Sequence, residues 1–286
     1  MKPILIAAGL AAAVPAPAAP TYETCAALYA RLLGGATAAQ LEDVLPGLAA
    51  NLKTAGDVSA KYWTDSTPYD ELAKASILPD PALDALGIRH ETTGGVVHVP
   101  AGLMHTYGYL FSQLKTAYGL KGKRWIESRL DERLGLPAGT FGPLAPKGEF
   151  ASNVTAALLK LVGERPYVPS AAKMKIPAKA AGFVEQKVEW KAPDGKTVKA
   201  AVFTHLVALK ALPGLETADA YLLIYSVVRD GKRRLVTAFP VDEKFAASIM
   251  KTPAGKSSAF VPRFNLYVDP SWAVVAQENR GFKPAR

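Results

Sequence analysis

One cysteine in 286 residues, Cys25, excludes an internal disulfide, so stability has to come from packing. Past the first 18 residues no apolar run is long enough to cross a bilayer. The best, 218–228, is broken by Asp219 and Ser226. Histidine is scarce, with four in the chain, and no His-Glu-x-x-His or cysteine ligand set accompanies them. No metal site and no cofactor motif is therefore read. Fixed-period repeats and nucleic-acid modules are missing as well. Acid is in deficit: 25 acidic residues face 34 basic ones, a net charge of +9. An excess of that sign suits contact with anionic surfaces and says nothing about chemistry.

What is present begins with an export signal. Lys2 supplies a basic start, 4–14 an apolar stretch too short to span, and Ala16-Pro17-Ala18 a cleavage pattern. Residues 1–18 read as a signal peptide, and the location expected is periplasmic or extracellular. Lys2 is its one charge, so the mature chain keeps 33 basic against 25 acidic residues, a net of +8. Tyr22-Glu23-Thr24 lacks the small apolar residues that would make Cys25 a lipidation site.

Hydrophobic spacing divides the rest into a mainly helical part, 19–163, a linker or surface crossover, 164–182, and an antiparallel β-rich part, 183–286. The fold class is α+β. In the first part, helices are predicted over 21–33, from Thr37 past a kink at Pro46 to a stop before Gly56, and in short pieces from Asp57 to 87. A strand at 96–99 leads into a helix over 101–117. Further helices are predicted over 123–134 and, capped by Ser152-Asn153, up to 162. After Gly182 the period changes to two. Strands 184–191 and 197–209 flank Pro193-Asp194-Gly195-Lys196, and strands 221–229 and 233–241 flank Asp230-Gly231. Asp242 caps a short helix, and 264–268 and 272–275 read as further strands.

The chemistry-bearing residues gather between 90 and 125. His90, His98 and His105 fall within sixteen residues, with Glu91 beside the first. On the predicted 101–117 helix, two apolar stripes imply burial on several sides. A narrow polar stripe, His105, Gly108, Ser112 and Lys115, then has to face polar partners or a cavity. Ser112 and Lys115 sit one helical turn apart, which puts a lysine base within reach of a serine nucleophile. The same Ser-x-x-Lys spacing recurs at Ser170 and Ser248, so spacing alone is a weak signal. The candidate catalytic residues are Ser112, Lys115, His105 and His98, the last orienting substrate or base. Gly108 and Tyr107 would line the substrate site. Lys121, Lys123 and Arg124 beside Trp125 read either as the charge-paired wet face of an amphipathic helix or as a basic patch suited to anionic groups and stacking.

Two functions fit these residues. One is an exported hydrolase acting on an anionic envelope or polymeric substrate at residues 94–118. The other is a non-catalytic periplasmic protein that binds a small molecule or an anionic envelope component. Either way, the mature chain should begin at or near Ala19. Mass spectrometry of the N-terminus of exported material checks this, and retention of Met1 contradicts it.

Overall fold

The structure, a computed structural model, describes residues 21–70, 73–88, 91–93, 96–116, 119–142, 149–164, 174–175, 180–191, 194–255 and 274–285. It has the α+β composition expected from the sequence. Helices dominate the N-terminal part, which also carries short strand pairs, among them Tyr69–Asp70 with Ala75–Ser76 where short helices were expected, and a six-stranded antiparallel sheet with one helix follows. The sheet strands are β1 (Ala180–Lys191), β2 (Thr197–Ala208), β3 (Asp219–Arg229), β4 (Lys232–Asp242), β5 (Ala254–Gly255) and β6 (Val274–Pro284). Their order is β4-β3-β2-β1-β6-β5, a four-strand meander extended beyond its first strand. Both predicted hairpins form: Lys191 pairs with Thr197, and Arg229 pairs with Lys232. The strand predicted over 264–268 lies outside the described residues, and 274–275 belong to β6.

Asp242 accepts from the Phe245 amide at 2.7 Å and so starts the Glu243–Met250 helix, as read from the sequence. Ala246 of this helix packs with Leu206, Leu223 and Val241 on one face of the sheet. The helical part covers the other face. One apolar cluster runs from Cys25, Leu83 and Phe150 through Tyr107 and Phe111 to Val207, Leu222, Ile224, Leu235 and Ala238 of the sheet. Burial of each large side chain of this kind contributes roughly 1.5–3 kcal/mol, which makes this continuous core the main source of stability. Among the described residues, no helix is long and apolar enough to cross a membrane.

Several helix boundaries differ from expectation, each for a local reason. Pro46 does not kink a helix. Gly47 takes a left-handed φ of 83° and the helix starts after it, at Leu48. That helix runs through Gly56 and Asp57 to Tyr62 because its small face is a contact surface. Asn51 accepts from the Phe150 amide at 2.8 Å, and Ser59 accepts from the Gly102 amide at 3.0 Å. The roughly 1 kcal/mol cost of a mid-helix glycine is offset there. The helix predicted over 153–162 begins earlier, at Phe150. Likewise, the predicted 123–134 helix is two helices, Lys121–Glu127 and Leu130–Leu134, broken at Arg129 with φ 45°.

That break serves the junction between helices and sheet. Asp219, at the start of β3, is nearly buried and receives Arg124 on one carboxylate oxygen and Ser128, at 2.8 Å, on the other. Arg124 also donates to the Pro240 carbonyl at 2.8 Å. From the next helix Arg133 donates to the carbonyls of Asp219, at 2.7 Å, and Lys210, at 2.8 Å. A straight helix would carry Ser128 and Arg133 to different sides. Removing one partner of such a pair leaves a desolvated charge behind. Asp219→Asn should therefore lower the unfolding free energy by about 3–5 kcal/mol in urea titrations; a loss below about 1 kcal/mol would show the junction to be incidental.

Candidate functional site

The strand Val96–Pro100 feeds directly into the segment 101–111, because Pro100 holds extended backbone and then allows a helix to begin. Every residue from Ala101 to Ser112 is buried. The segment is not a plain α-helix. Met104–Gly108 form a π-turn between short α-helical pieces Ala101–Leu103 and Tyr109–Phe111. A π-turn widens the coil and re-aims the side chains that follow. Two glycines make the burial feasible. At Gly102, a Cβ would lie 2.7 Å from Trp63 Cδ1 and 2.8 Å from Ser59 Oγ, so only glycine fits. At Gly108 a Cβ would meet the Met104 terminal methyl at 2.6 Å. The space beside Gly108 is thus occupied by Met104.

His105 sits on this turn between the rings of Trp63, stacked at 5.9 Å, and Tyr109, at 5.0 Å. Its Nδ1 shares a 3.1 Å hydrogen bond with Thr237 Oγ1 of β4, and that hydroxyl lies 3.0 Å from the Tyr109 hydroxyl. Lys121 stands 4.9 Å over the Tyr109 ring and 2.9 Å from Asp70. Asp70, Lys121, Tyr109, Thr237 and His105 thus form one line of polar contacts leading into the core. Burial, and secondarily the Lys121 charge, pushes His105 down to about 3, so its imidazole is neutral at physiological pH. For Lys121, burial alone would lower the pKa, but Tyr109 and Asp70 outweigh it and hold the ammonium charged. Neither group is tuned to take a proton near neutrality.

The other predicted residues separate. Ser112 does not share a helical turn with Lys115. At Ser112 the backbone leaves the helix, with ψ 128°, and its fully buried hydroxyl accepts from the Leu114 amide at 3.2 Å. The reason lies in Gly122: its amide donates to the Ser112 carbonyl, and a Cβ there would stand 2.8 Å from that oxygen. Docking of the next helix at this point stops the first one. Lys115 is exposed on a two-residue strand, Lys115–Thr116, paired with Gly119–Leu120. His98 lies opposite Glu91 in the strand register; its side chain, like all of His90, is outside the described residues. Tyr107 packs edge-on to Phe150 at 5.3 Å, with its hydroxyl buried and, among the described residues, unpartnered.

The basic patch is likewise taken apart. Lys121 is paired with Asp70, Arg124 with Asp219, and exposed Lys123 with Glu127 at 3.5 Å. Trp125 is not a stacking surface. It is buried between Tyr109 and Phe141 and donates to the Phe141 carbonyl at 3.1 Å. Among the described residues no group of three or more His, Cys, Asp or Glu is placed to hold a metal ion. The residues that sequence reasoning missed are Trp63, Asp70, Tyr109 and Thr237. Their separations in the chain leave no local signal; only the aromatic at 109, one turn from His105, was there to be found. No known protein family, curated protein or solved structure matches the chain.

A second buried histidine, His205 on β2, is also pushed down to about 3, by burial first and then by Arg233. The unfolded chain protonates both imidazoles below its ordinary value near 6.5, and the folded chain does so near 3. The stability they contribute is therefore complete above pH 6.5. It falls by about 1.4 kcal/mol per pH unit for each as pH drops toward 3. Asp131, raised to about 6 by burial, acts in the opposite sense between about 4 and 6 and cancels when proteins sharing it are compared. Unfolding free energies of wild type and His105→Gln, taken from pH 6 to 4, should converge by about 1.4 kcal/mol per unit. Parallel curves would contradict a neutral His105.

Proposed function

We propose that this chain is an exported protein that acts by binding an anionic component of the envelope, and not by hydrolysis. The observation that carries this reading is the state of Ser112. A serine nucleophile needs a base within about 2.6–3.2 Å and an approach for substrate. The Ser112 hydroxyl is fully buried and engaged by the Leu114 amide. Among the described residues no hydrogen bond joins it to His105 or Lys115. His105 is committed to Thr237, and Lys115 stands on a separate ribbon. Burial of His105, Gly108 and Ser112, with Lys115 exposed apart from them, supports binding over hydrolysis.

Binding needs no such geometry, and the charge excess supports it. Exposed Lys115, Lys191, Lys210, Lys232, Lys244 and Lys251 spread the net positive charge over the outside, where each lysine near an anionic surface is worth about 1 kcal/mol. The mature chain should sediment with phosphatidylglycerol vesicles and not with phosphatidylcholine vesicles. It should be released near 1 M salt, where screening shortens to about 3 Å. Equal binding to both, or to neither, would defeat the reading. So would any hydrolysis of ester or amide substrates that Ser112→Ala abolishes.

A further inference from the structure

The positive excess is not shared evenly between the two halves of the chain. Residues 19–163 hold 13 basic against 14 acidic side chains, and residues 164–286 hold 20 against 11. The helical half is close to neutral, and the whole surplus falls in the half that builds the sheet. Within the sheet, the register brings two hairpin turns to one end. Lys191 pairs with Thr197, Arg229 pairs with Lys232, and Val228 pairs with Ala201. The turns therefore stand side by side, the first projecting about four residues, or roughly 13 Å, beyond the second.

Both turns are tight, so their charges are held in place. Asp230 and Gly231 each take a positive φ, 52° and 70°, as a two-residue hairpin turn requires. In the other turn the Lys196 amide donates to Asp194 Oδ1 at 3.0 Å. Six exposed cations belong to these two hairpins: Lys191, Lys196, Lys199, Arg229, Lys232 and Arg234. Three acids answer them. Asp194 pairs with Lys196 at 2.7 Å, Glu189 with Lys199 at 3.6 Å, and Asp230 with Arg229 at 3.4 Å. Exposed pairs of this kind hold their charges weakly. Arg234 donates only to the carbonyls of Ala60 and Trp63, at 3.3 and 3.4 Å. Among the described residues, Lys191, Lys232 and Arg234 have no carboxylate partner, so this end keeps a surplus of three positive charges. Exposed Lys210, Lys244 and Lys251 lie at the opposite end of the strands, roughly 30 Å away. That is well beyond the screening length of about 8 Å, so a surface touched by one end is hidden from the other.

We propose that the end of the sheet carrying these two hairpin turns is the surface that docks on a bilayer of anionic lipid. The proposal rests on the envelope-binding reading, and adds which face makes the contact and that lipid headgroups receive it. Cations exposed on projecting turns suit a broad charged surface. A single anion needs converging donors, and a linear polyanion needs a groove to track.

The test compares two triple variants of the mature chain with equal net charge, by sedimentation with phosphatidylglycerol vesicles. Lys191→Gln, Lys199→Gln and Lys232→Gln together strip the hairpin end; Lys210→Gln, Lys244→Gln and Lys251→Gln strip the opposite end. All six lysines are exposed, and thermal melting checks that both variants fold. Each cation near an anionic membrane is worth about fivefold in affinity. The first triple should therefore bind at least about thirtyfold more weakly than wild type, and the second less than about fivefold more weakly. Arginine in place of the first three lysines should restore binding. Equal losses in the two triples, or a larger loss in the second, would overturn the docking face while leaving envelope binding standing. Wild-type chain that ignores the vesicles would defeat both. Weaker retention of the first triple on heparin, with vesicle binding unchanged, would assign the turns to an anionic polymer and overturn the lipid assignment.

Discussion

The placement of the buried segment 101–111 depends on the crossing of Gly102 over Trp63. The indole closes the Leu48–Tyr62 helix, donates to Thr155 at 2.9 Å, and pairs its backbone with the edge of β4 at Leu235. Three units therefore meet at one ring: the long helix, the Phe150–Leu161 helix and the sheet. The buried segment 101–111 can join them only because its second residue has no side chain. Once that approach is made, the π-turn sets His105 over Trp63 and beneath Thr237, and the segment is enclosed on every side.

That enclosure decides the chemistry. Low dielectric surroundings keep His105 neutral, and the paired carboxylate keeps Lys121 charged. Catalytic groups are usually shifted toward the working pH; these two are shifted away from it. The same holds for the basic residues of the following helix, whose charges are spent on Asp70, Asp219 and Glu127. Burial and pairing place His105, Ser112, Lys121 and Arg124 at or near the join between the helices and the sheet.

The parts of the fold legible in the sequence were those set by neighbours in the chain. Period-two alternation from Val184 to Trp190, the Asp230-Gly231 turn and the Asp242 cap each state their structure locally, and the sheet follows them. Helix ends set by distant contacts were not legible. The end of the helix at Phe111 depends on Gly122 docking onto Ser112, and the helix through Gly56 depends on Ser59 meeting Gly102. The candidate site suffered most, because Ser112 and Lys115 have helical spacing and the tertiary contact that breaks the helix between them lies outside that window. His205 was readable as an oddity, a histidine inside an apolar strand two residues after Phe203, but its other ring neighbour, Phe183, comes from β1.

Ser112 is closed off, and among the described residues no base is hydrogen-bonded to its hydroxyl. A fluorophosphonate tests it directly, since it phosphonylates only a serine whose hydroxyl is both accessible and activated, with release of fluoride. After prolonged incubation of the folded chain, intact-mass spectrometry should show the unmodified protein, and peptide mapping should find Ser112 free. A stoichiometric phosphonyl adduct on Ser112 would contradict the account and restore hydrolysis at this site.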